Sequence, residues 1–214
     1  MLEPELLLNA YRSAVFPMAV NRRGDIGWFS PDPRAIIPLD ERFHVPHGLR
    51  RVWKRCVVAA PVSGACRASA AGTAATTSPV YSITFDTDFE SVIRECAKRK
   101  EGTWISREII ESYCDLHRLD RAHSVETRSE GKLVGGLYGV HIGGAFFGES
   151  MFHRVPNASK VALVALVKRL QQRGFILLDT QWQTPHMAQF GTMEIPKREY
   201  LRRLAQAITV DCKF

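Results

Sequence analysis

The stretch Phe146-Phe147-Gly148-Glu149-Ser150-Met151, inside residues 132–181, decides how the rest of the chain is read. Residues 133–141 predict a strand, Gly143-Gly144 a hairpin turn, and residues 145–150 a second strand ending in a small, an acidic and a hydroxyl residue. Beyond Pro156, Asn157 stands where a helix N-cap is expected, and an amphipathic run over 159–173 continues until Gly174 stops it. Residues 175–179 return as a buried strand that closes on Asp179-Thr180-Gln181. Two polar-tipped strands flanking one helix predict a cleft floor, and chemistry is expected there.

Working outward, residues 123–128 alternate as a strand joined to 133–141 by the turn Glu130-Gly131-Lys132, which predicts an antiparallel pair. Ser106 caps a helix running to residue 119, although Ile109 rather than Glu completes the pattern, so the full capping box is missing. Residues 80–85 form a strand, and Asp86 and Asp88 open a helix through residue 100. At the start, residues 4–14 make a helix with Leu6, Leu7, Ala10, Tyr11 and Ala14 on its apolar side, and 28–34 is a turn stiffened by two prolines before a brief strand at 35–38. Helices are expected at 185–190 and at 196–208, with proline in the first turn of each. Residues 56–79, rich in Ala, Ser, Thr and Gly, predict a flexible insertion loop. The result is an α+β chain: a small N-terminal region (1–55) with a basic helix, the insertion (56–79), and a mixed sheet with helices (80–214).

Lys and Arg number 29 against 22 Asp and Glu, a net charge of +7, and part of that excess is clustered. Arg42, Arg50, Arg51, Lys54 and Arg55 fall together with His44 and His47, with no acid after Glu41. A helix beginning near His47 stacks Arg50 with Lys54 and Arg51 with Arg55 at i, i+4. Such a face attracts polyanions through counterion release, and a plainly solvated helix face is an equal alternative. Five cysteines without a Cys-x-x-Cys pair exclude a disulfide framework and point to a reducing cytoplasm. No apolar run reaches 18 residues, and the first eleven are acidic and amphipathic rather than a signal peptide, so no membrane association is expected.

Several common sites are missing. There is no Gly-x-x-x-x-Gly-Lys-Ser/Thr, no Gly-x-Gly-x-x-Gly after a strand and no His-Glu-x-x-His. Ser150 sits in Gly-Glu-Ser-Met rather than Gly-x-Ser-x-Gly, which favours a hydrogen-bonding hydroxyl over a nucleophile. Buried carboxylates are costly unless paired, so Glu149 or Asp179 alone reads as structural. Together on strands flanking one helix, they balance evenly between structure and site. Gln181 shares a face with Asp179. Trp104, in a polar loop, is either a cap on the core or a lid over a ligand.

Taken in order, the runs Trp28-Phe29-Ser-Pro-Asp-Pro-Arg34, Glu101-Gly-Thr-Trp-Ile105, His123-Ser124 with Glu126, Leu133-Val-Gly-Gly-Leu-Tyr-Gly139, Gly148-Glu-Ser-Met-Phe152, Asn157-Ala-Ser-Lys160 and Asp179-x-Gln181 resemble the leucyl/phenylalanyl-tRNA–protein transferases. They cover nearly the whole chain outside 56–77. The resemblance implies a bacterial enzyme of the N-degron pathway. It would move Leu or Phe, and Met less well, from aminoacyl-tRNA to the α-amino group of proteins beginning with Arg or Lys, without cofactor or metal. It also implies a catalytic domain similar to the acyl-CoA N-acyltransferase (GNAT) fold. By similarity Asp179 polarises or orients, Gln181 holds the incoming amine and Glu149 hydrogen-bonds the donor's α-amino group or the cationic acceptor. Leu137, Phe146, Leu163, Leu166 and Leu178 match the family's side-chain pocket, Gly148 and Ser150 adjoin it, and Trp104 stands near the aminoacyl end. Arg50, Arg51, Lys54 and Arg55 match its tRNA-binding cluster.

The chain departs from the family pattern in a shorter N-terminus, in Met18 where tryptophan commonly follows Phe-Pro and stacks on the terminal adenosine, and in His47 at a basic position. The stacking is then either weakened or supplied by another aromatic. An acyl-CoA N-acetyltransferase is the alternative on the same fold, but the place where those enzymes put a glycine-rich turn reads Met151-Phe-His-Arg-Val-Pro-Asn157, with no glycine. A catalytically silent tRNA- or peptide-binding module is the third reading, opposed by the intact Glu149, Asp179 and Gln181. No apolar helix face is left over, so a monomer is expected.

Overall fold

The hairpin expected at Gly143-Gly144 lies in a large mixed sheet. A computed structural model describes residues 1–21, 23–59, 80–99 and 101–214. In chain order the elements are α1 (Pro4–Arg12), β1 (Phe16–Ala19), β2 (Ile26–Phe29), β3 (Arg34–Ile37), α2 (His47–Trp53), β4 (Cys56–Val58), β5 (Tyr81–Phe85), α3 (Phe89–Ala97) and α4 (Arg107–Arg118). There follow β6 (Ala122–Ser129), β7 (Lys132–Ile142), β8 (Ala145–His153), α5 (Ala158–Gln172), β9 (Leu177–Gln181), α6 (Pro185–Ala188), β10 (Met193–Ile195) and α7 (Lys197–Ala207). Eight strands pair in the order β10-β3-β9-β8-β7-β6-β5-β4, and β1 and β2 form a separate two-stranded sheet. The β8/β9 and β4/β5 pairs are parallel and the others antiparallel.

The pattern of two decides which residues face which layer. Phe146 points to the α5 side with Leu137 and Leu178, while its neighbour Phe147 points to the opposite layer with Tyr11 of α1, Val92 of α3 and Tyr113 of α4. Helices thus cover both faces, as the α+β reading expects. The β6–β7 turn takes the positive φ values of a tight hairpin, +50° at Glu130 and +77° at Gly131. Two glycines of β7 have spatial reasons. A Cβ on Gly135 would collide with Ala158 at the start of α5, and one on Gly139 with the Phe147 carbonyl of β8.

Some expectations change. Helix α5 is buried on most sides rather than amphipathic, because α2 covers the flank that the sheet leaves open, with Leu49 packed into the same core. Asn157 occupies the N-cap position in a left-handed conformation (φ +68°), and its side chain caps nothing. Ser106 does cap α4, accepting the Ile109 N–H at 3.3 Å. Strand β9 begins two residues later than the return strand expected from residue 175. Strand β3, from the segment read as the N-terminal region, runs inside the large sheet between β10 and β9. At the start of the expected insertion, Cys56–Val58 is a strand beside β5; residues 60–79 lie outside the described residues.

Candidate active site

Strands β8 and β9 pair side by side from Ala145↔Leu177 to Phe147↔Asp179, and there the ladder ends although both strands continue. A cavity of about 360 Å³ adjoins the point where they part. Each strand carries a bulge at this place. On β8, Gly148 faces Gly139 and Ser150 faces Tyr138, so Glu149 is the extra residue with no partner in the β7 ladder. On β9, Asp179 faces Ile36 and Gln181 faces Ala35, so Thr180 is the extra one, and Gln181 takes a left-handed φ of +58°. A bulge re-aims side chains out of the strict alternation of a strand, and here two adjacent ones turn Glu149 and Gln181 to the same cavity.

The two acids have opposite surroundings. Asp179 is fully buried and saturated with donors. Its Oδ1 accepts from Arg34 Nε (3.0 Å) and from the Gln181 N–H (2.9 Å); its Oδ2 accepts from Arg34 Nη2 and from the Tyr200 hydroxyl, both at 2.7 Å. Arg34 is equally buried, donates from Nη1 to the Ala14 carbonyl at 3.1 Å, and lies between the rings of Phe16 (4.9 Å) and Tyr200 (4.7 Å). The bidentate pair, with its remaining hydrogen bonds satisfied, is the geometry in which a buried charge pair holds.

Glu149 touches no cation among the described residues. Its Oε1 accepts from the Tyr11 hydroxyl (2.7 Å) and from Gln181 Nε2 (3.2 Å), with the Tyr113 hydroxyl at 3.5 Å from Oε2. The Tyr11 and Tyr113 hydroxyls are themselves in short contact. Burial pushes the Glu149 carboxyl up to about 8; the Tyr11 hydrogen bond opposes this, the charge of Asp179 adds to it, and Arg34 opposes it from a distance. One bulged strand therefore presents an uncharged acid, and the other a locked anion.

Of the residues singled out from the sequence, Leu137, Gly148, Glu149, Ser150, Leu163, Leu166, Leu178 and Gln181 line this one cavity. Three stand elsewhere. Asp179 is behind the wall, turned toward Arg34. Phe146 lies in the α5-side core, stacked on Phe214 with centroids 5.4 Å apart. Trp104 packs half-buried against the α1-side core, its carbonyl accepting the Ala19 N–H at 3.0 Å, and does not line the cavity. Arg50, Arg51, Lys54 and Arg55 are exposed on and just after α2, and none pairs with an acid among the described residues. Helix α2 packs on α5, which supplies Leu163 and Leu166 to the cavity.

The sequence reading missed Tyr11, Tyr113, Arg34 and Tyr200 as partners of the two acids, because nothing in linear spacing joins residues 138 or 145 positions apart. It also missed the lining residues Tyr138, Met151, Trp182 and Met187. Trp182 is exposed at the cavity and sets its ring edge-on to Phe16 at 5.2 Å. Among the described residues no group of three or more His, Cys, Asp or Glu is placed to hold a metal, and no helix is long and apolar enough to cross a membrane.

Comparison with known proteins places this geometry. Residues 36–205 match the family model described as leucyl/phenylalanyl-tRNA protein transferase, and residues 1–32 match that of its N-terminal domain. The leucyl/phenylalanyl-tRNA–protein transferase of Rubrobacter xylanophilus is 48% identical over 214 residues, covering 100% of this chain and 98% of that one. That of Akkermansia muciniphila is 46% identical over 209 residues, covering 97% of this chain and 96% of that one. Among solved structures, a ribosomal-protein-alanine N-acetyltransferase from Brucella melitensis aligns with 51% of this chain and 84% of its own at 14% identity and a TM-score of 0.38. L-PGS from Bacillus licheniformis aligns with 87% of this chain and 55% of its own at 16% identity and a TM-score of 0.40. Those two likenesses are partial; the sequence matches run nearly end to end, and on them the chain belongs to the leucyl/phenylalanyl-tRNA protein transferases, a family of enzymes acting with aminoacyl-tRNA on proteins.

Proposed function

We propose that this enzyme transfers leucine or phenylalanine, and methionine less well, from its tRNA ester to the α-amino group of proteins that begin with Arg or Lys, marking them for degradation in the cytoplasm. The observation that carries this reading is the apolar cavity walled by Leu137, Leu163, Leu166 and Leu178 with Glu149 and Gln181 on its polar side. An apolar side chain without a branch at Cβ, aliphatic or aromatic, enters such a space, and since one methylene is worth only about 1–3 kcal/mol, related side chains are accepted together.

The reaction is aminolysis of an ester. The amine nitrogen attacks the ester carbonyl carbon, a C–N bond forms and the carbonyl oxygen takes up negative charge. The C–O bond to the tRNA ribose then breaks, and the proton lost by the amine ends on the ribose oxygen. The step is downhill, so we assign it no cofactor. An α-amino group titrates at about 7.7–8.0, and the Glu149 carboxyl is raised to about 8. The two are matched for proton exchange at neutral pH, which is the condition for an efficient general base. The approaching ammonium favours the carboxylate form of Glu149, and in that form Glu149 takes its proton. Gln181, hydrogen-bonded to Glu149, holds the amine in line. Asp179 has its oxygens filled by Arg34, Tyr200 and Gln181, and acts by fixing the Gln181 backbone rather than by handling a proton.

Trp182 offers its exposed face to the terminal base of the tRNA, in the role the family gives to the tryptophan replaced here by Met18. Arg50, Arg51, Lys54 and Arg55 contact phosphates and so position the acceptor end without reading its sequence. The chain works as a monomer. The test is transfer of labelled leucine from Leu-tRNA to a peptide beginning with Arg, beside one beginning with an acidic residue. Transfer to the Arg peptide alone supports the reading; no transfer, with acetyl-CoA acylating the peptide instead, overturns it.

A further inference from the structure

Two residues that line the cavity carry a buried polar atom without a partner among the described residues, the Tyr138 hydroxyl and His186 Nε2; His186 lies on α6, and Tyr138 is the one beside the bulged strand tips. Tyr138 is fully buried on β7, beside the bulge, and lines the cavity, yet no donor or acceptor among the described residues reaches its hydroxyl. The ring cannot swing to find one. Tyr113 meets it edge-on at 5.8 Å and 88°, and Phe89 likewise at 5.8 Å and 78°. A buried hydroxyl without a partner costs free energy that a phenylalanine of the same shape would spare, so its presence calls for a use.

The polar groups of the cavity are sorted by role. On the bulged tips, Glu149 and Gln181 are engaged with each other and suited to the amine side of the reaction. Across the β7–β8 ladder from Ser150 stands Tyr138, and Ser150 accepts a hydrogen bond from Arg99 at 2.8 Å, so donors gather on this side. Ester aminolysis needs both: a proton acceptor at the nitrogen and a donor at the carbonyl oxygen, where negative charge develops. We propose that the Tyr138 hydroxyl is a substrate-contacting catalytic group, which donates its hydrogen bond to the carbonyl oxygen of the aminoacyl ester as that oxygen becomes negative. The phenol is fit to remain a donor, since burial above all holds its pKa well above 10. This inference rests on the ester-aminolysis reading above.

The test is Tyr138→Phe in the full-length chain, measured beside the wild type for leucine transfer from Leu-tRNA to an Arg-initiated peptide, together with thermal unfolding of both. Removing one donor to a developing oxyanion costs about 10²–10³-fold in rate. We expect kcat to fall by roughly 10²-fold or more, KM for Leu-tRNA to stay within about threefold, and the unfolding midpoint to hold or rise. A kcat within threefold of wild type overturns the assignment, and so does a raised KM with unchanged kcat, which is the mark of ground-state binding. A lowered midpoint also overturns it, because it would mean that the hydroxyl has a structural partner. A wild type inactive with Leu-tRNA defeats the ester reading itself and this inference with it; an active wild type matched by Tyr138→Phe defeats the inference alone.

Discussion

The tips of β8 and β9 are built alike and charged differently. Each carries a bulge and an acid, yet Asp179 receives two donations from a buried guanidinium, one from a phenol and one from a backbone amide, while Glu149 receives only neutral donors and faces a cavity. The difference teaches that proximity of carboxylates to a site does not assign them chemistry. What assigns it is whether lone pairs remain and whether the proton is held near the pH of the reaction. Asp179 has its oxygens taken up by Arg34, Tyr200 and the Gln181 N–H. Glu149 meets both conditions, and the ion pair behind it helps to create the second, since the Asp179 charge pushes the Glu149 carboxyl upward.

The largest expected effect breaks the locked member. Asp179→Ala leaves Arg34 buried and unpaired between Phe16 and Tyr200, and stranding such a charge typically costs about 3–5 kcal/mol. Urea unfolding should show that loss, with transfer activity lost alongside it. Replacing both partners, Arg34→Met with Asp179→Leu, should recover most of the stability without recovering activity, because Gln181 loses the anchor of its backbone N–H. A stable, active Asp179→Ala variant would contradict the positioning role.

Glu149→Gln tests the other member and should separate stability from rate. The amide still accepts from Tyr11, so the fold is kept, whereas transfer should drop about 10²–10⁴-fold, the usual worth of a general base. Loss of fold without loss of specific activity would exchange the roles assigned to the two acids. Arg51→Ala with Lys54→Ala provides a third arm that touches neither. It should leave unfolding unchanged, weaken tRNA binding and flatten the dependence of log K on log salt by about 1 to 2. Equal slopes would make α2 a solvated face.

Legibility in the sequence follows from the same contrast. The hairpin of β7 and β8, the return strand β9 and the helix between them were readable because alternation, Gly143-Gly144 and Gly174 are local signals. The apolar lining was readable through resemblance, with Phe146 the exception; it shares the α5 side with the lining leucines but is stacked on Phe214 instead. The bulges at Glu149 and Thr180 were not readable, since one extra residue in a ladder leaves no mark in composition. For that reason Asp179 and Gln181, two apart on one face of an ideal strand, were read as acting together, while the bulged strand sends one inward to Arg34 and the other to the cavity. Tyr11 was correctly placed on the apolar side of the first helix. Its hydroxyl's engagement with Glu149 is a tertiary fact that periodicity cannot carry.

The last effect is the most specific to the comparison. A carboxyl raised to about 8 in the fold, against about 4.3 in the unfolded chain, keeps a proton that the unfolded chain releases. Between those values the native state binds more protons, so its stability falls as pH rises; the contribution is complete below about 4.3 and spent by about 8. Other groups contribute slopes of their own, such as Asp40, which Arg42 holds down at about 2, but they are common to wild type and Glu149→Gln and cancel in the difference. The midpoint of the wild type relative to Glu149→Gln should therefore decline from pH 5 to pH 8 by roughly 10 °C, since nearly three pH units at about 1.4 kcal/mol each come to about 3–4 kcal/mol and a chain of this size shifts by about 2–4 °C per kcal/mol. Parallel curves would mean that Glu149 is already ionised in the empty site, and the match between its carboxyl and the α-amino group, on which its role as proton acceptor is argued, would not hold.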